Sequence, residues 1–93
     1  MKFMVSWQIH PDKRHETFQG FCEMTPSDED FGGAKLLGRW HDVVGFTGVA
    51  ICEADDAAAL GRWLLNWNNV IDIEAIPVLD DEEARALGQA HFS

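Results

Sequence analysis

The chain has no tyrosine, and only seven of its 93 residues are basic. The first absence removes the phenol, a common general acid. The second, set against 16 acidic residues and a formal charge of −9, excludes the positive surface that nucleic acids and anionic membranes need. Two cysteines, Cys22 and Cys52, are too few for a disulfide framework. Both sit among apolar residues and read as buried free thiols. No apolar run approaches membrane-spanning length. The opening MKFMVSW turns at once into HPDKRHE, so no secretory leader is expected and a cytoplasmic protein is the default. Phosphate loops, dinucleotide fingerprints and nucleophile elbows are missing. His10, His15, His41 and His91 have no metal-site spacing with each other or with the cysteines, so neither cofactor nor metal is expected.

What is present is aromatic and apolar. Four Trp and six Phe stand in a chain that is 46% hydrophobic. Ninety-three residues make one domain, residues 1–93. A chain this short buries only about 60–65% of its unfolded surface, so its core is thin. Either the aromatics pack very efficiently, or some face a second subunit.

The pattern along the chain predicts βαββαβ with a short tail helix. Lys2 to Ile9 alternates, with Phe3, Val5, Trp7 and Ile9 on one face. Pro11 suits a first helical turn, and a helix is predicted to about Glu23, with Phe18, Phe21 and Cys22 on one side. Thr25 to Gly33 reads as a polar, mobile, acidic loop. Ala34 to His41 and Phe46 to Glu53 are the next strands. They are joined by Asp42-Val43-Val44-Gly45, with Gly45 available for a positive φ. Asp55 is placed to cap a helix over 56–69, whose Leu60, Trp63, Leu64 and Trp67 follow i, i+3, i+4, i+7. Val70 to Val78 is the last strand. Asp80 and Glu83 form a capping box for a helix over 81–87, stopped by Gly88. Much of the acidity is explained locally, because Asp55-Asp56 and Asp80 to Glu83 stand at helix starts, where negative charge is favoured.

Right-handed crossovers turn this order into an α+β, ferredoxin-like domain. It has a four-stranded antiparallel sheet, with both main helices on one face. The other face is not polar enough for a monomer, because strands one and three offer apolar side chains on both sides. A homodimer, sheet face on sheet face, is the simplest cover. The space between the sheets is then a natural apolar pocket for a small apolar or aromatic ligand.

The segments KFMVSW, LLGRWHD, EADD and PVLDDEEA resemble a family of short bacterial proteins of unknown function assigned to the dimeric α/β-barrel superfamily. The likeness spans nearly the whole chain and departs most at Thr25 to Gly33. It implies the fold and the dimer. It carries over no catalytic residue, since relatives on this scaffold do unrelated chemistry.

His41 and Arg39 are the candidate catalytic residues. They share a strand face, and Trp7 and Trp40 join them as candidate pocket walls. His41 can act as a base or sit as an ordinary half-exposed histidine. Arg39 can steady an enolate or make a salt bridge, with Asp72 and Glu74 as available partners. Adjacent strand residues point oppositely, so Asp42 cannot pair with His41 and reads as a turn residue. Trp63 and Trp67, on the helix stripe, read as core. Three functions remain open: a ligand-binding module, a cofactor-independent monooxygenase- or isomerase-like enzyme with His41 as base and Arg39 as anion stabiliser, and a protein-association domain.

Overall fold

The computed structural model describes Met1 to Ser93. The strands are β1 (Lys2–Ile9), β2 (Lys35–Asp42), β3 (Thr47–Glu53) and β4 (Ile71–Val78). The helices are α1 (Arg14–Glu23), α2 (Ala57–Leu64) and α3 (Asp81–Phe92), and a 3-10 turn over Pro11–Lys13 leads into α1. The strands form one antiparallel sheet in the order β2-β3-β1-β4, consistent with a ferredoxin-like βαββαβ fold. No helix is long and apolar enough to cross a membrane.

Pairing aligns Val5 with Ala50 and Ala75, and Ala50 in turn with Arg39. That row and its even-spaced neighbours face the helices. Phe3, Val5, Ala50 and Cys52 meet Ala59 and Trp63 of α2 in the main core cluster. Asp56 caps α2 by accepting from the Ala59 N–H at 2.8 Å, one position later than Asp55. Only 9 of 93 residues are buried, so the core is as thin as the length demands.

Several local expectations are corrected. Helix α2 ends at Leu64 and continues as turns to Val70. Helix α3 runs through Gly88 to Phe92, because a lone glycine only weakens a helix by about 1 kcal/mol. The left-handed residue of the β2–β3 connection is Phe46 at φ 55°, not Gly45, because Asp42 accepts from the Val44 and Gly45 N–H groups and fixes the turn before it. Cys22 is exposed and only Cys52 is buried, since α1 buries no residue at all.

Candidate functional site

Alternation places Trp7 and Ile9 of β1, Arg39 and His41 of β2, and Ile73 of β4 on the helix-facing side of the sheet. Helix α1 adds Thr17, Phe18 and Phe21 above them. Trp63, Leu64 and Trp67 close the far wall. These residues enclose a cavity of about 50 Å³, room for roughly three to five waters. Ten of its 13 lining residues are hydrophobic, and the rest are Thr17, Arg39 and His41.

The cavity therefore lies between the sheet and the helices of one chain, not between two sheets. The cause is strand parity: Arg39 and His41 share the face of Val5, which the helices cover. The structure brings Trp7, Arg39 and His41 together. Trp40 has the opposite parity, is 61% exposed on the open sheet face, and does not line the cavity. Its ring lies over Gly38, where an added Cβ would come within 2.5 Å of it.

Arg39 does not pair with Asp72 or Glu74. Its two terminal nitrogens donate to the two carboxylate oxygens of Glu29 at 2.9 Å each, in a fork. The same carboxylate accepts from the indole N–H of Trp63 at 2.8 Å and of Trp67 at 3.2 Å. The Glu29 side chain is 5% exposed and that of Arg39 is 17% exposed. Burial pushes the Glu29 carboxyl up, and this is the largest single influence. The Arg39 and Trp63 hydrogen bonds, the Arg39 charge and the Trp67 bond together outweigh it and hold the group below its ordinary value of 4.5. Asp72 instead lies 3.0 Å from His10 Nε2.

His41 sits at the cavity mouth, its ring 5.7 Å from Trp7 and 4.7 Å from Phe21. Partial desolvation first, and the Arg39 charge second, push its pKa below the ordinary 6.5, against a smaller pull from Glu29. Both influences favour the neutral imidazole over the cation. Trp7 reaches the cavity because Gly48 stands opposite it in β3; a Cβ there would overlap the indole. No group of three or more His, Cys, Asp or Glu side chains converges to hold a metal.

Glu29 was hidden in the sequence. It stands in the run Asp28-Glu29-Asp30, where nothing in composition separates it from its neighbours. Its loop is also not free. Arg62 Nε donates to the Gly32 carbonyl at 2.9 Å, and Asn66 donates to the Asp30 carbonyl at 3.0 Å. Gly32 has φ +63°, and a Cβ there would meet Arg62 Cβ at 2.5 Å, so the loop lies directly on α2. The Gly-Gly pair was the one local signal for this close approach.

No curated protein and no solved structure matches the chain. A family model does, over residues 1–92, and the chain belongs to that family, the DUF3303 domain of unknown function.

Proposed function

We propose that the protein binds a small, uncharged, apolar or aromatic molecule in the cavity between sheet and helices. One observation carries the reading: the cavity is apolar, and its single charged wall residue, Arg39, is already neutralised by Glu29. A charged ligand would have to break that fork or be buried without a partner, which is costly. Trp7, Trp63 and Trp67 offer ring faces, and neutral His41 supplies one polar anchor at the mouth. Helix α1 buries no residue and is the loosest wall, so a ring-sized ligand enters by moving it outward.

The test is an equilibrium binding series of single-ring molecules of similar size and different charge: phenol, benzoate and benzylamine, read by tryptophan fluorescence. Phenol is expected to bind at least tenfold more tightly than either ion. Equal affinities, or a preference for benzoate, would contradict the reading.

A cofactor-independent monooxygenase- or isomerase-like enzyme is the second reading. A neutral imidazole at the cavity mouth favours it, since His41 is then ready to accept a proton. The engaged state of Arg39 weighs against the anion-stabilising half.

The same proposal includes a homodimer through the open sheet face. Met4, Val49 and Ile51 there are only half-buried, and Trp40 and Ile76 are 61% and 40% exposed. The chain exposes 6361 Å², against about 5,400 Å² for a compact monomer of 10.4 kDa. The excess, roughly 1,000 Å², is close to the ~800 Å² per partner of a standard interface.

A further inference from the structure

Helix α3 is barely packed on its own chain. None of its residues is buried, Leu87 is 62% exposed and Phe92 87% exposed. It lengthens the molecule to 52 × 27 × 19 Å and raises the radius of gyration to 15.2 Å, where about 12 Å is usual for this length. An isolated helix of 12 residues is marginal in water. Its capping box is complete, and its N-terminus is tied down, with Lys2 Nζ 3.2 Å from Glu83 and 3.4 Å from Asp80. Lys2 has the parity of Met4, so the tie lies on the open side of the sheet. At 100° per residue, Ala84, Leu87, Gly88, His91 and Phe92 fall on one side of α3, and Glu82, Arg85 and Gln89 on the other. A well-capped helix with an apolar stripe has been aimed at something outside its own chain.

We propose that α3 is an exchanged arm, whose apolar stripe packs on a second copy of this chain along the outer flank of that copy's β2. The inference rests on the homodimer reading above. Two sheets stacked by a dyad can set β4 over β4 or β4 over β2. The first would oppose Asp72 and Glu74, both exposed on the open face of β4, to their own copies. The second sets them over Trp40 and carries the chain after Val78 toward the start of the other β2. A groove of about 610 Å³ opens beside it on the helix-facing side of that edge strand, walled by Met24, Pro26, Phe31, Ala34 and Leu36 next to the Arg39–Glu29 pair, with Lys35 on its rim, and the arm reaches it by crossing the β2 edge. Lys35 then faces the acidic first turn of α3, Asp81 to Glu83.

The experiment is sedimentation equilibrium of the full chain at micromolar concentration, for the parent and for Leu87→Asp and Met24→Asp. Far-UV circular dichroism of each variant checks that it is folded. Leu87 is 62% exposed and belongs to no core cluster, so its substitution leaves the core of the monomer untouched. The parent is expected near twice 10.4 kDa. Each variant is expected to dissociate at least tenfold more readily. A parent mass of 10.4 kDa at all concentrations overturns both the arm and the homodimer. A dimeric parent with an unaltered Leu87→Asp variant overturns the arm and leaves the sheet-face dimer standing. Dissociation by Leu87→Asp but not by folded Met24→Asp overturns the groove as its seat, and with it the proposal.

Discussion

Substituting Glu29 by Gln should be among the most damaging polar changes in this chain. Glu29 accepts four hydrogen bonds, two from Arg39 and one each from Trp63 and Trp67. A glutamine offers one oxygen. Both indoles and one Arg39 nitrogen share Oε2, so the amide oxygen takes that place and its N–H₂ faces the other Arg39 nitrogen, which donates to Oε1. Removing one partner of a buried ion pair costs about 3–5 kcal/mol. Arg39 keeps 17% exposure, which moves the loss to about 2–3 kcal/mol. That is a large part of the 5–15 kcal/mol that holds a small domain folded. In a domain this size it lowers the melting temperature by about 8 °C or more. Urea unfolding followed by tryptophan fluorescence, at one fixed protein concentration, measures it. The double variant Glu29→Gln/Arg39→Met removes the stranded charge as well and is expected to recover about 1–2 kcal/mol of the loss. A single-variant loss below about 1 kcal/mol, or a double variant whose losses simply add, would refute the reasoning.

Other consequences can be checked in the same assay. Gly48→Ala drives a methyl into the Trp7 ring and is expected to cost about 1–3 kcal/mol, with loss of phenol binding as Trp7 is pushed into the cavity. Gly32→Ala combines a positive φ with a 2.5 Å approach to Arg62 Cβ. It should destabilise by about 2 kcal/mol and speed proteolysis within residues 25–33. The depressed pKa of His41 sets a pH dependence of known sign. As pH falls below about 6.5, the unfolded chain takes up a proton that the folded chain still refuses, so stability declines. Denaturant midpoints between pH 7 and 5 should show a shallower decline in His41→Asn than in the parent.

The elements were legible where periodicity or capping chemistry was local. The alternation of β1 and the Asp80–Glu83 box marked β1 and the start of α3 directly. Parity in β2 correctly set Arg39 and His41 on one face and removed Asp42 from their company. Which face the helices cover is a tertiary fact, and it decided where the cavity lies and that Trp40 stands outside it. Glu29 was illegible for a different reason. Its partners come from β2 and from α2 with the turn after it, and only the folded chain brings them within hydrogen-bond distance of a loop carboxylate. The end of α3 was missed because Gly88 carries the same letter whether it stops a helix or merely weakens one.

The central claim is that an uncharged ligand enters the cavity beneath α1. The four indole N–H signals of the chain test it most directly in a proton–nitrogen NMR titration with phenol. Trp7, Trp63 and Trp67 line the cavity and Trp40 does not. Saturable shifts of the first three with an unmoved Trp40 signal are the expected result. A shift confined to Trp40, or none at millimolar phenol, would contradict the claim.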